Sequence, residues 1–281
     1  MDARAILANA LEYLKLVLLL SLRQFIFLFA LTLLLGWLIQ LINRNLLKNA
    51  WRLLGGKAYL WLFGWLSIPV HELGHAVFAV LFGHRITRIV LFDPDASGGS
   101  HGQVQHSWNQ NNLYHRVGNL FIGIGPIILG SVVVWLLSRW LLQTSFQGME
   151  ALDAQAGLMQ QLQAIPAFLL NSLANALRIF SEIFSALSWK TALFLYLSFA
   201  ISTNINLSDL DLGHIRPALI VMIQVIVIFN LLTAWLGEFS LNLMDGLENG
   251  LATFYGILVY VLVLNLGFLA VSRLLSLVFK K

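Results

Sequence analysis

About six times along this chain the side chains stay apolar for some twenty residues, at roughly 22–42, 59–82, 117–138, 190–207, 217–236 and 251–272. A helix needs about 20 such residues to cross the hydrocarbon layer, where backbone amides are satisfied only inside helices or closed barrels. The expected fold class is therefore an all-α polytopic membrane protein with about six transmembrane helices. Composition agrees, with 59% of residues hydrophobic and 11% charged, against about 25% charged in soluble domains. The first apolar stretch, residues 16–42, is too long for a cleaved signal core and no small-residue cleavage site follows it, so it reads as retained. Residues 11–22, interrupted by Lys15, read as an interfacial lead-in helix.

The formal charge of +4 comes from 17 basic and 13 acidic residues scattered over loops. No basic run could neutralise a row of phosphates, so the lipid bilayer is an expected partner and nucleic acid is not. Cysteine is absent. Disulfides and thiolate metal sites are thereby excluded, and any metal must be held by His, Asp or Glu.

Between the second and third apolar runs, residues 85–92 alternate polar with apolar, Asp93, Pro94, Asp95 and residues 97–100 break the chain, and 102–108 resume extended character. That pattern predicts a small β-ribbon. Residues 143–166 are polar and Gln-rich. From Leu169 an amphipathic helix is expected on the membrane surface, its apolar stripe formed by Leu169, Leu173, Leu177, Phe180, Phe184 and Leu187. Placing the ribbon in the cytoplasm puts Arg85, Arg88, Arg116, Arg216, Arg273, Lys280 and Lys281 inside and the loop with Glu238, Asp245 and Glu248 outside. It also puts Arg44, Lys48, Arg52 and Lys57 outside.

The second apolar run contains His71, Glu72 and His75 in the pattern His-Glu-x-x-His. Spacing i, i+4 stacks the two imidazoles on one helix face, where they can grip one zinc ion. Glu72 lies about 100° around the helix, the position of a general base serving a metal-activated water. With seven His and six Glu in the chain, random placement gives about 0.004 such pentapeptides. An ionisable residue near mid-span also costs on the order of 2.5–3.5 kcal/mol on insertion scales, so an idle Glu72 would be expensive. The competing structural reading is a hydrogen-bonded cluster between helices.

A third ligand must come from elsewhere. Position 81 is Leu, which excludes the metzincin pattern, and His84 lies past Gly83 and reads as an interfacial residue. The polar segment at the end of the fourth run offers Asn204, Asn206, Ser208, Asp209, Asp211 and His214. Asp211 is the expected ligand, with Asp209 and His214 in reserve.

At these two segments the chain resembles the site-2 protease group of intramembrane zinc metalloproteases, peptidase family M50. Members carry His-Glu-x-x-His in one core helix and an Asp ligand in a later one. Leu210, Asp211 and Gly213 look like a variant of the end of the family's second motif, Asn-x-x-Pro-x-x-x-Leu-Asp-Gly. Here the Pro is missing and Asn204 stands one residue nearer the Asp. Leu207, Ser208 and Asp211 look closer to the Leu-Ser-x-x-Asp signature of a divergent M50-like branch. The run with Gly118, Asn119, Gly123, Gly125 and Pro126 is similar to the family's Gly/Pro-rich middle helix; simple close packing of small residues would account for it equally.

The resemblance spans roughly residues 59–215. It implies a metalloprotease core there; the flanking segments, an N-terminal membrane helix and loop at 1–58 and a C-terminal helical hairpin at 216–281, carry no motif of the family. It implies hydrolysis in or near transmembrane segments of membrane-protein substrates, with Zn2+ on His71, His75 and Asp211 and Glu72 as catalytic base. Asn204, Asn206 and Asn119 are candidate substrate contacts, and polarising the pocket would account for Asn204 and Asn206 equally. It also implies a prokaryotic inner membrane and a site opening to the cytoplasm. Two other classes remain to be separated from it: a zinc-containing membrane module that binds partners without cutting them, and an ion transporter. An intact Glu72 speaks against the first, and the lack of two related halves against the second.

Overall fold

The computed structural model describes residues 3–96, 101–143, 146, 158–236 and 238–278. The ribbon tip at 97–100 and most of the Gln-rich stretch lie outside the described residues. So do Lys280, Lys281 and the side chains of Glu238, Asp245 and Glu248, which entered the orientation argument.

The fold is mostly helical. Helix α1 (Ala3–Phe25) continues through a π-helical turn into α2 (Leu31–Leu54). The apolar stretch Leu7–Leu54 covers 48 residues, about 72 Å of helix and more than twice the hydrocarbon thickness. A short α3 (Gly56–Tyr59) and a second π turn lead into α4 (Trp65–Leu81). Strands β1 (Arg85–Val90) and β2 (Gln103–Ser107) pair antiparallel, Ile86 opposite His106 and Ile89 opposite Val104, with an irregularity between Ile86 and Arg88. Then follow α5 (Leu113–Leu137), α6 (Leu158–Ser185), α7 (Trp189–Ser202), α8 (Asp209–Thr233) and α9 (Glu238–Val278).

Five stretches among the described residues are long and apolar enough to cross a membrane: Leu7–Leu54, Leu113–Leu142, Leu158–Ser185, Leu210–Leu236 and Gly250–Val278. Of the six runs expected, 59–82 and 190–207 are not among them. The first carries His71, Glu72 and His75, which lower its apolarity, and α7 is only 14 residues long. Conversely, α6, expected on the membrane surface, is long and apolar enough to span.

The packed face of α6 also differs from the expected stripe. Phe168, Ser172, Ala176, Ile179 and Ile183 are buried and the helix packs on α9, whereas Leu173, Leu177, Phe184 and Leu187 are exposed. The reason is the solvent. Lipid is as apolar as leucine, so the interhelical face is marked by small and polar residues such as Ala176 and Ser172 rather than by apolarity.

Helix α5 packs on both α4 and α8, and the ribbon packs on α4. Close approach of α4 and α5 depends on Gly74 and Gly125. A Cβ on Gly74 would come within 2.6 Å of the Pro126 backbone, and one on Gly125 within 2.5 Å of the Gly74 carbonyl. Gly123 does the same for α8, since a Cβ there would collide with Ile215. Outside this group, α2 lies along α9 and α1 along α8.

Candidate metal centre

One helical turn separates His71 from His75 on α4, and their Nε2 atoms are 3.2 Å apart. Each Nδ1 is 2.8 Å from a backbone carbonyl, of Asn204 for His71 and of Ile122 for His75. A carbonyl only accepts, so both Nδ1 atoms carry the proton and both Nε2 lone pairs turn toward each other. Asp211 Oδ1 lies 3.3 Å from His75 Nε2. The three donor atoms all fall within 4.8 Å of one another, the only such group of His, Asp and Glu among the described residues.

This donor set fits a divalent ion. Bare imidazole nitrogens and a carboxylate oxygen repel one another unless a cation or proton lies between them. Zinc bonds to nitrogen and oxygen of about 2.0–2.2 Å place neighbouring ligands of a tetrahedron about 3.3–3.5 Å apart, close to the 3.2 and 3.3 Å found. Three protein ligands with a fourth position open is the arrangement of catalytic rather than structural zinc. The carbonyls behind the imidazoles are the outer contacts that orient such ligands.

Asp211 belongs to the first turn of α8, not to the end of the preceding apolar helix as its sequence position suggested. The chain breaks at Ser202 and restarts at Ser208, whose side chain caps α8 by accepting from Asp211 N at 3.1 Å. Asp211 Oδ2 accepts from Ser208 N at 2.7 Å, which leaves Oδ1 to the site. The segment between the two helices supplies the Asn204 carbonyl and is tied to the outer helices. Asn43 of α2 donates to the carbonyls of Ser202 and Thr203 at 3.0 Å each, and Asn265 of α9 donates to Asn43 Oδ1 at 2.9 Å.

Glu72 is 9% exposed, hydrogen-bonded to the Val104 backbone and within reach of the charge on Asp211. The ribbon closes over it at Gly102, where a Cβ would meet Glu72 Cγ at 2.8 Å and Oε1 at 3.0 Å. Only glycine lets the chain run this close to the carboxylate.

The remaining candidates fall in different places. Asn204 donates its side-chain amide to Ser67 Oγ at 2.9 Å, and Asn206 donates to the Thr203 carbonyl at 3.3 Å. Asn119 is buried one turn before Ile122, and its Oδ1 has no hydrogen-bond partner among the described residues. It helps line a cavity of about 270 Å³ with Trp108, Arg116, His214 and Val221. The Asp209 side chain lies outside the described residues. His214 is exposed and stands apart from the three-donor group.

His84, read as interfacial, is instead 5% exposed and bonded to His106 and to the His115 carbonyl. Gly83, at φ +72, turns the chain so sharply after α4 that His84 folds back under the ribbon. Sequence reasoning passed over Asn43, Asn265 and Gly102, and it named Ser208 only as part of a signature. The capping role of Ser208 could have been found from its Ser-x-x-Asp spacing, and the two asparagines as polar residues inside apolar runs. The Ile122 carbonyl carries no sequence signal.

Comparison with curated proteins and with solved structures returned no match. Residues 46–149, which include His71, Glu72, His75, the ribbon and α5, match the family model described as Peptidase M50B-like, and this supports placing the chain in a site-2 protease-like M50 family, as a membrane-embedded metalloprotease of the M50 kind.

Proposed function

We propose that the chain is an intramembrane zinc metalloprotease that hydrolyses peptide bonds in or near the transmembrane segments of other membrane proteins. The observation that carries this reading is the convergence of His71 Nε2, His75 Nε2 and Asp211 Oδ1 beside a buried Glu72, within a bundle of apolar helices. His71, His75 and Asp211 would hold the ion. When bound, zinc supplies Lewis acidity and an acidified water.

The chain's own groups do the rest. The Glu72 carboxylate takes a proton from the attacking water and hands it to the departing nitrogen. The Asn204 and Ile122 carbonyls hold the imidazole tautomers, and Ser208 holds Asp211. The substrate must be extended, because a helix hides its carbonyls in hydrogen bonds, and a strand edge of the β1–β2 ribbon offers it pairing partners. Asn119, Asn204 and Asn206 are the candidate side chains for contacting that strand. Arg85, Arg88 and Arg116 support a cytoplasmic mouth, and a prokaryotic inner membrane belongs to the same proposal.

Elemental analysis of the purified protein beside His71→Ala and Asp211→Ala tests the metal, with one zinc per chain expected in the parent and little in either variant. Glu72→Gln tests the chemistry against a panel of co-expressed single-span membrane proteins. It should keep zinc while cleavage falls about 10²–10⁴-fold. Unchanged cleavage in Glu72→Gln would end the hydrolase reading.

A further inference from the structure

Four histidines gather where the ribbon meets α4, α5 and α8, and none of them belongs to the three-donor group. His84 Nε2 lies 3.0 Å from the His115 carbonyl, and His84 Nδ1 lies 2.9 Å from His106 Nδ1. The His106 ring is 6.3 Å from that of His214, one turn after Asp211 on α8. Trp108 stacks on His84 at 5.8 Å.

Hydrogen-bond logic fixes the protons. The His115 carbonyl can only accept, so His84 Nε2 carries hydrogen. Burial holds His84 below its usual range, which keeps the ring neutral and its Nδ1 bare. The hydrogen in the 2.9 Å contact therefore belongs to His106 Nδ1. Burial, with His84, His214 and His75 facing it, pulls His106 down to about 4, so this ring is neutral too. A neutral imidazole with its Nδ1 protonated has a bare Nε2. Among the described residues no donor reaches that atom.

The bare nitrogen belongs to the inner face of β2. Gln103, Gln105 and Ser107 are exposed, whereas Gly102, Val104 and His106 alternate inward, and Gly102 already abuts Glu72. His106 thus extends the wall that begins at the general base, on the side where His75 is close enough to act on its charge. A fixed acceptor on that wall calls for a donor, and the donor an extended peptide presents is its backbone N–H.

Resting on the peptidase reading above, we propose that His106 is a further substrate-contacting residue, which accepts a hydrogen bond from a backbone N–H of the bound peptide and is held as an acceptor by His84. One hydrogen bond of this kind corresponds to roughly a three- to ten-fold change in affinity.

The probes are acetohydroxamate, which tests the metal alone, and a dipeptidyl hydroxamate together with versions N-methylated at each amide in turn. Binding is measured on the zinc-loaded full chain. His106→Ala should weaken the dipeptidyl probe three- to ten-fold and leave acetohydroxamate unchanged. One N-methylated version should bind parent and His106→Ala equally. His84→Asn, whose amide can donate to the His115 carbonyl and accept from His106, should retain affinity that His84→Phe loses. Ring-nitrogen NMR should find His106 Nε2 unprotonated at pH 7 in the parent.

If acetohydroxamate binds all variants and the dipeptidyl probe does not distinguish them, the role of His106 is refuted while the metal reading survives. A second equivalent of zinc, lost in His106→Ala, would refute it in favour of a metal ligand. Failure of acetohydroxamate to bind the parent removes the metal reading and this inference with it.

Discussion

Ser208 and Asp211 grip each other through two reciprocal hydrogen bonds, Ser208 N to Asp211 Oδ2 at 2.7 Å and Asp211 N to Ser208 Oγ at 3.1 Å. The pair starts α8 and at the same time directs Asp211 Oδ1 toward His75. One device thus serves both the helix and the candidate metal centre. Ser208→Ala should cost about 0.5–2 kcal/mol as a lost cap. It should also weaken zinc roughly 10–100-fold as a lost outer contact. Thermal unfolding of the metal-free protein measures the first effect and competition with a chelator the second. An altered midpoint with unchanged zinc affinity would separate the cap from the site.

The segment between α7 and α8 depends on residues far away in sequence. Asn265 bridges Asn43, the Ser202 carbonyl and the Ser202 hydroxyl, which donates to Asn265 Oδ1 at 2.6 Å. All three residues are buried. Asn265→Leu removes the bridge and leaves polar groups unpaired in an apolar interior, at about 1–3 kcal/mol for each. We expect a lowered thermal midpoint and partial loss of zinc, because the Asn204 carbonyl that orients His71 belongs to the same segment. Retention of both in Asn265→Leu would show that the segment holds itself.

Much of this was legible before the fold was known. His71, Glu72 and His75 announce themselves by spacing, and the ribbon by alternation that breaks at Asp93 and Pro94. The expectation of about six spans agrees roughly with the five long apolar stretches found, yet apolarity and packing part company in two places: α4 carries three ionisable side chains that lower its apolarity, and α6 buries Phe168, Ser172, Ala176, Ile179 and Ile183 while Leu173 and Leu177 are exposed. The helix break at residues 203–208 was hidden because Ile205 and Leu207 continue the apolar run, although Ser208 and Asp211 spell its end. What no sequence could supply are contacts made by backbone carbonyls, Ile122 and Asn204 behind the imidazoles and His115 behind His84.

Acid stability should report on the histidine cluster. His106 is held at about 4 in the fold, against about 6.5 when unfolded. Above pH 6.5 the ring is neutral in both states and contributes nothing to pH dependence. Between pH 6.5 and 4 the unfolded chain binds a proton that the folded chain refuses, so stability falls as the pH falls. His106→Gln should flatten this acid limb, measured as thermal midpoint against pH on the metal-free protein. An unchanged slope would mean that His106 protonates equally in both states.

Gly102 abuts Glu72 and stands clear of the three candidate ligands. A Cβ there would come within 2.5 Å of Ile68 Cγ2 and 2.8 Å of Glu72 Cγ, while none of the three candidate ligands is among its nearest neighbours. Gly102→Ala must therefore either lift β2 or turn the Glu72 carboxylate aside. Displacement of a catalytic group by about 1 Å can cost about 10²-fold in rate. The expected outcome is full zinc content with cleavage reduced to that extent, in contrast to His71→Ala, which should lose both. Loss of zinc in Gly102→Ala would mean that the ribbon supports the ligands as well as the base. Undiminished cleavage would mean that Glu72 tolerates the shift, and that its contact with the ribbon does not govern catalysis.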